Sequence, residues 1–293
     1  MPGGTRPPWF LRPGNAEGAP TERPGRLRRS DGSDAGRMAH TVGMRSPGSP
    51  ALDPSRIDAV VLDVGGVFVV PHGELVAGHL RAAGVEVEPG DDRYHRAHHR
   101  GVRALSDQLG DDRTGHDESD PAFWRAYHRA YVAALGVADH RLDDARRALA
   151  RLFGSGAGIW RQPITVNIAA LGRLAAVRPL AIVSNNDGTA EAQLLEFGVC
   201  QVGDGPLPSV AIVVDSGVLG VAKPDPAIFR PALEALGTDA ARTLYVGDTV
   251  HADVHGARAA GMAVVQLDPY DDHAGFDHHR LRHLGELADL LGG

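Results

Sequence analysis

The chain has 293 residues, of which 43% are hydrophobic and 23% are charged, and its formal net charge is −7 at pH 7. This length suits about two domains of ~150 residues, or one domain with a large insertion, and the negative charge argues against a general nucleic-acid binder. The single cysteine, Cys200, excludes an intrachain disulfide; together with the lack of an apolar run of about 18–20 residues, it predicts a cytoplasmic protein with no membrane span.

The first predicted strand follows a segment of different composition. Residues 1–54 are rich in Pro, Gly, Ser and Arg and have no helical or strand period, which predicts a disordered tail. Residues 57–62 then form a nearly unbroken apolar run, as expected for a parallel strand that is buried on both faces. The run ends at Asp63, and Gly65 and Gly66 predict a tight loop directly after it.

Residues 72–162 read as helices, with no convincing strand among them. The predicted helices span residues 74–83, 91–108, 121–135 and 141–153. Trp124 and Tyr127 lie on an aromatic face that we interpret as the core of this helical segment. No cysteine or acidic partner accompanies His95, His98 and His99, so we expect these side chains, like those of His278, His279 and His283, to lie on solvated helix faces.

Strands and helices alternate through the rest of the chain. Strands are predicted at residues 180–183, 210–214, 243–246 and 263–267, and helices at 164–177, 226–236, 252–260 and 281–291. This alternation is typical of parallel βαβ units. The sequence therefore predicts an α/β fold, a doubly wound parallel sheet of Rossmann-like type formed by residues 55–71 and 163–293, with residues 72–162 inserted as a helical domain.

Polar residues follow the predicted strands where ligands of an open parallel sheet bind. These residues are Asp63, Ser184, Asn185, Lys223, Asp248 and Asp253. Carboxylates that lie close together raise one another's pKa unless a cation sits among them, and oxygen ligands select a hard ion such as Mg²⁺. An aspartate can attack phosphorus, while the ammonium of Lys223 and the hydroxyl of Ser184 would hold phosphoryl oxygens.

Lys223 stands out for a second reason. It is the only lysine of the chain, whose other 29 basic residues are arginines. An ammonium is a compact point charge on a flexible stem, which a planar guanidinium does not reproduce. The retention of one lysine at this position is therefore a hint, internal to the sequence, that Lys223 is functional.

Four segments resemble the motifs of the haloacid dehalogenase-like (HAD) hydrolase superfamily in order and spacing, over about residues 57–268. They read V-V-L-D-V-G-G-V at Asp63, A-I-V-S-N-N at Ser184, G-V-L-G-V-A-K-P-D-P at Lys223 and Y-V-G-D-T-V-H-A-D at Asp248. The helical insertion resembles the cap domain of this family, which closes over the substrate.

The resemblance implies a role for each matching residue. Asp63 would be the nucleophile and a Mg²⁺ ligand, with the main-chain carbonyl of Gly65 and the carboxylate of Asp248 as further ligands. Asp253 would support the metal site or the lysine. The residues that would bind the transferring phosphoryl group are Ser184, Asn185 and Lys223, and the lysine would also neutralise the nucleophile.

One position departs from the family pattern. Phosphatases of this superfamily usually carry a second aspartate two residues after the nucleophile, where this chain has Gly65. General acid–base help of that kind is typically worth ~10²–10⁴-fold. The favoured interpretation is a Mg²⁺-dependent phosphatase that acts on a small phosphorylated metabolite through an aspartyl-phosphate, with good leaving groups or another acid such as His72 or a cap residue.

Two alternatives stay open beside the phosphatase. The first is a hydrolase of the 2-haloacid dehalogenase type, which acts through an aspartyl ester and also lacks the second aspartate. The second is a non-catalytic domain that binds phosphate. In each case the expected partner is a small molecule, with no nucleic acid and no membrane.

Overall fold

The computed structural model describes residues 52–88, 90–110, 122–156 and 158–293. Within these ranges, no helix combines the length and the apolarity needed to cross a bilayer. The predicted disordered tail, residues 1–54, lies outside the described residues except for its last three.

Strands and helices alternate over most of the described chain. Its strands are β1 (Ala59–Leu62), β2 (Val69–Pro71), β3 (Trp160–Pro163), β4 (Leu180–Ser184), β5 (Gln201–Val202), β6 (Ser209–Val210), β7 (Val213–Asp215), β8 (Thr243–Gly247), β9 (Ala263–Leu267) and β10 (His279–Leu281). Its α-helices are α1 (Gly73–Ala82), α2 (Asp91–Leu109), α3 (Arg125–Ala134), α4 (Leu142–Phe153), α5 (Thr165–Val177), α6 (Ala190–Glu196), α7 (Ser216–Leu219), α8 (Arg230–Leu236), α9 (Gly256–Ala259) and α10 (Leu284–Leu291).

The main sheet has six parallel strands in the order β10-β9-β8-β1-β4-β7. In the register of its centre, Val61 pairs with Tyr245 of β8 on one side and with Ala181 of β4 on the other. Crossover helices connect parallel strands of this kind. The predicted α/β class with a doubly wound, Rossmann-like core is therefore confirmed.

Each face of the sheet is covered by its own apolar cluster. Leu62, Ile182 and Val246 point to the face that helices α5 and α10 cover. Val183 and Tyr245 point to the opposite face, where they pack with residues of α8 and α9. Burial on both faces explains why these strands are apolar without alternation, and it leaves the polar strand ends as the part of the sheet that can bind a ligand.

Helices α1–α4 share a third apolar cluster, which is separate from the two clusters of the sheet. It includes Leu80, Tyr127, Tyr131 and Leu149, so the predicted aromatic face does lie in a helical core. The helices were expected without a strand, and that expectation is wrong, because Trp160–Pro163 forms β3 and pairs antiparallel with β2. The assignment of residues 72–162 as a cap domain stays a proposal.

Several predicted elements begin or end elsewhere. The strand predicted at residues 210–214 is divided into β6 and β7, and only β7 joins the main sheet. The helix predicted at residues 252–260 is a π-helix, Val250–His255, that continues into α9. A 3₁₀ turn, Pro226–Phe229, precedes α8. Strand β10 has only three residues and was not predicted.

Candidate functional site

Three adjacent strands of the sheet centre bring the predicted residues to one rim. Asp63 directly follows β1, Ser184 ends β4, and Asp248 directly follows β8. The main-chain N–H of Asp63 donates to the carbonyl of Val246 at 2.9 Å, which continues the pairing of β1 with β8 beyond the strand. All three side chains are buried. Since neighbouring strands lie about 4.8 Å apart, this rim places a hydroxyl beside two carboxylates.

Lys223 joins the rim from the loop between α7 and α8. Its Nζ lies 2.9 Å from Asp63 Oδ1 and 2.7 Å from Asp253 Oδ1, and it donates to the hydroxyl of Tyr245 at 2.8 Å. The side chain of Asn185 holds the lysine main chain, because its Oδ1 accepts from Lys223 N at 2.7 Å and its Nδ2 donates to Lys223 O at 3.0 Å. The Asn185 amide therefore positions the lysine.

Asp253 accepts hydrogen bonds on both of its carboxylate oxygens. Oδ1 accepts from Lys223 Nζ and from the Tyr245 hydroxyl, at 2.7 and 2.9 Å. Oδ2 accepts from the main-chain N–H of Asp248, at 3.1 Å, and from the N–H and hydroxyl of Thr249, at 2.8 and 2.7 Å. The π-helix that carries Asp253 thus anchors both the lysine and the loop of Asp248.

Tyr245 is a site residue that the sequence analysis missed. It lies in the middle of β8, within an apolar run, and nothing in its immediate sequence separates it from the core residues around it. The only signal is that a buried tyrosine hydroxyl needs a hydrogen-bond partner, which here is the buried pair of Lys223 and Asp253.

Two glycines allow the backbone to approach the carboxylates. Gly66 has a positive φ of 65°, and a Cβ built there would lie 2.1 Å from Asp248 Cγ. A Cβ at Gly247 would lie 2.3 Å from Asp253 Cγ. Both distances are far below any real contact, so side chains at these positions would displace the carboxylates.

The buried charges do not balance. Asp63, Asp248 and Asp253 offer carboxylate oxygens that lie within 4.8 Å of one another. Burial raises the pKa of Asp63 to about 7, and the two neighbouring carboxylates act in the same direction against Lys223. Burial also disfavours the ammonium of Lys223, but Asp253 and Asp63 hold its pKa above the ordinary value. A cation among these oxygens would relieve the repulsion, so the donor set fits a hard divalent ion such as Mg²⁺.

The predicted solvated histidine face on α2 is wrong for His98 and His99, which are both buried. His98 Nε2 lies 2.8 Å from Asp248 Oδ2, and its Nδ1 lies 2.9 Å from the hydroxyl of Tyr127. His99 Nε2 has no hydrogen-bond partner among the described residues. Burial lowers the pKa of His99 well below its ordinary value, with His98 acting in the same direction. The periodicity of α2 shows which residues share a face of the helix. It does not show that the face with His98 contacts Asp248 at the end of β8.

The prediction that His278, His279 and His283 lie on a solvated helix face is also wrong, since His278 precedes strand β10 and His279 begins it. His278 is buried, and its Nε2 lies 2.7 Å from Gln266 Oε1. The side-chain N–H of Gln266 donates in turn to the main-chain carbonyl of Asp248 at 2.7 Å. Gln266 thus links His278 to the main chain of Asp248 and helps to hold the loop that carries this carboxylate.

Two further positions bear on the missing acid–base group, Gly65 and His72. A Cβ at Gly65 would lie 3.5 Å from the ring of Trp160, which is an ordinary contact. His72, which was considered as an acid, is the N-terminal cap of α1, where its Nδ1 accepts from Leu75 N at 3.4 Å. That hydrogen bond gives His72 a structural function at the start of the helix.

The fold is that of a Rossmann-like α/β protein, with a rim of carboxylates around a buried lysine at the carboxyl end of its sheet. A family model described as haloacid dehalogenase-like hydrolase matches residues 57–261. The chain therefore belongs to this family of hydrolases.

Individual relatives match over parts of the chain. The chain is 36% identical to a phosphoserine phosphatase of Thermus thermophilus over 118 residues, which are 39% of this chain and 44% of that protein. It is 35% identical to a phosphoglycolate phosphatase of Rhodospirillum rubrum over 171 residues, which are 55% of this chain and 64% of that protein. The chain thus covers less than two thirds of either relative.

A solved structure shares the fold. The structure of a putative HAD-hydrolase YfnB of Bacillus subtilis bound to magnesium matches with a TM-score of 0.50 and 20% identity, over 81% of this chain and 100% of that one.

Proposed function

We propose that this hydrolase is a Mg²⁺-dependent phosphatase of small phosphorylated metabolites. The observation that carries the proposal is the buried contact of 2.9 Å between Lys223 Nζ and Asp63 Oδ1 at the carboxyl end of the sheet. A carboxylate held beside a fixed ammonium can attack an electrophile, while the ammonium stabilises the charge on the transferring group. The relatives named as phosphatases support phosphorus as that electrophile.

In the proposed first step, a carboxylate oxygen of Asp63 forms a bond to phosphorus, and the bond from phosphorus to the ester oxygen breaks. The departing oxygen takes a proton from water, since Gly65 offers no acid. In the second step, water attacks phosphorus and the bond to Asp63 breaks, which releases inorganic phosphate and a proton and restores the carboxylate. Lys223 and Ser184 would hold the phosphoryl oxygens throughout.

We assign the metal to Asp63 and Asp248, whose carboxylates accept fewer hydrogen bonds than that of Asp253. Asp63, Asp248 and the main-chain carbonyl of Gly65 would hold Mg²⁺, which when bound supplies positive charge opposite the phosphoryl oxygens. Asp253 would support them from behind, because both of its oxygens already accept hydrogen bonds. Asn185 would act on phosphate through the position that it gives Lys223.

The proposal is tested by measuring phosphate release from a panel of phosphorylated metabolites, with and without a chelator. We expect turnover that needs Mg²⁺, and a drop to below about one thousandth of wild type in Asp63→Asn, as for other nucleophile deletions. Asp58→Asn is the matched control, since this exposed aspartate precedes the same strand and pairs with Arg242 on the surface. Activity of Asp63→Asn near the wild-type rate would refute the mechanism.

The missing side chain at Gly65 favours a second candidate, hydrolysis of a 2-haloacid through an ester of Asp63. Chloride release from 2-chloropropionate, measured beside phosphate release, separates the two activities. A protein that binds inorganic phosphate but turns over neither panel would instead be a non-catalytic member of the family.

A further inference from the structure

We propose that His98, His99 and Asp248 form a second metal site, which takes a borderline divalent ion such as Zn²⁺ beside the Mg²⁺ position. One ligand atom from each of the three residues lies within 4.8 Å of the other two. Zinc ligands at bond lengths of about 2.0–2.2 Å come within such a distance of one another. Two imidazole nitrogens with one carboxylate oxygen are a ligand set that zinc accepts and that magnesium does not prefer.

His99 is the residue that points most directly to an ion. It is only 2% exposed, and its Nε2 has no hydrogen-bond partner in the described part of the chain. Buried polar atoms in native proteins nearly always have a hydrogen-bond partner, and a bound ion or water is one of the few explanations for an exception.

His98 is oriented as metal-binding histidines usually are. Such a histidine donates its second ring N–H to a fixed partner, which sets the tautomer and the direction of the ligand nitrogen. Here Nδ1 lies 2.9 Å from the hydroxyl of the buried Tyr127, and Nε2 faces Asp248. The tautomer that carries its proton on Nδ1 presents the lone pair of Nε2 to an ion that would share Asp248.

The net negative charge of the rim is large enough to attract two divalent ions when a phosphate substrate is also bound. Asp63, Asp248 and Asp253 carry three negative charges against the single ammonium of Lys223, so one divalent ion makes the cluster neutral. A second divalent ion leaves a charge that the dianion of a phosphate monoester balances. This last point rests on the proposed function, whereas binding of zinc at the site does not.

The site is tested with purified protein in Mg²⁺-containing buffer, using Zn²⁺ itself as the probe. Isothermal titration, with metal analysis after desalting, should show one tightly held equivalent of zinc in the wild type. His99→Phe keeps a ring in the buried space and should weaken that binding about tenfold or more. His95→Gln is the control, because His95 lies on the same helix, with its ring centroid 4.7 Å from that of His99, and its Nδ1 lies 2.7 Å from the hydroxyl of Tyr270.

X-ray absorption at the zinc edge makes the test independent of any variant. The wild-type protein should show two imidazoles in the zinc coordination sphere. Zinc that does not bind in the presence of Mg²⁺, zinc with no imidazole, or equal affinity in wild type and His99→Phe would overturn the proposal. Zinc bound with two imidazoles in a protein that releases no phosphate would support this site and refute the proposed function alone.

Discussion

Replacement of Lys223 by methionine tests how the buried rim is held together, because methionine has nearly the same length and no charge. The side chain of Lys223 is 2% exposed, and its Nζ has Asp63, Asp253 and Tyr245 as partners at 2.7–2.9 Å. Removal of one partner from a buried ion pair costs about 3–5 kcal/mol, because the remaining charge has no counter-ion. Two carboxylates lose their counter-ion here, so we expect a loss of free energy of unfolding at the upper end of that range.

The measurement is urea unfolding in the absence of divalent ions, followed by far-UV circular dichroism. Arg230→Met is the matched control, since its partner Glu234 is 3.9 Å away and both side chains are more than two thirds exposed; we expect little change there. The double variant Lys223→Met, Asp253→Asn should recover part of the loss by removing one of the two unpaired carboxylates. A loss for Lys223→Met as small as that of Arg230→Met would refute the reasoning.

The loss of free energy of unfolding in Lys223→Met should depend on pH, because Asp63 titrates in the folded protein. Its pKa in the folded wild-type protein is raised from 3.8 to about 7, mainly by burial. Removal of the ammonium raises this pKa further, so the folded variant binds a proton more tightly than the unfolded chain does. Uptake of that proton stabilises the folded variant as the pH falls. The deficit in its free energy of unfolding, relative to the wild type, should therefore be smaller at about pH 6 than at about pH 8. A deficit that is constant over this range would contradict the assignment.

Three further predictions concern other parts of the structure. Gly66→Ala should cost several kcal/mol and disturb metal binding, because its Cβ would lie 2.1 Å from Asp248 Cγ at a positive φ, whereas Gly65→Ala should be tolerated; equal thermal stability of the two variants would contradict this. Burial lowers the pKa of His128 from 6.5 to about 4, so the unfolded chain binds a proton at this histidine at a higher pH than the folded protein does. As the pH falls from 6.5 to about 4, the free energy of unfolding should therefore decrease by about 3 kcal/mol. His128→Phe should lack that part of the acid destabilisation in urea titrations. Gln266→Leu should slow turnover and lower the free energy of unfolding by about 1–3 kcal/mol, since it leaves the Asp248 carbonyl and His278 Nε2 without their partner; an unchanged rate would contradict a role in positioning Asp248.

The sheet could be predicted because its strands carry a local signal. Residues 59–62 are apolar without alternation, as burial on both faces requires, and residues 263–267 are apolar except for Gln266; an aspartate follows each segment. Strand β10 has three residues, and its pairing with Val265 and Leu267 depends on the rest of the fold. Strand β3 was missed for the same reason. Its four residues follow a helical segment, and only their pairing with β2, where Val69 lies opposite Pro163, makes them a strand.

The candidate site divides in the same way between local and distant signals. Asp63, Ser184 and Asp248 could be predicted because each follows a strand. The contact of His98 with Asp248 joins residues that are 150 positions apart, and no periodicity within α2 indicates which face meets the sheet. Tyr245 was hidden because its ring fits an apolar strand while only its hydroxyl reaches the lysine.

The burial of the only lysine makes the site open to a spectroscopic experiment that few proteins permit. Protein grown with lysine that carries ¹⁵N at Nζ would give one side-chain nitrogen resonance from the whole chain. Because this ammonium is enclosed by two carboxylates and a hydroxyl, its protons should exchange slowly with water. A single signal would then report on the rim directly, as metal, phosphate or inhibitor is added, without any assignment of the rest of the spectrum.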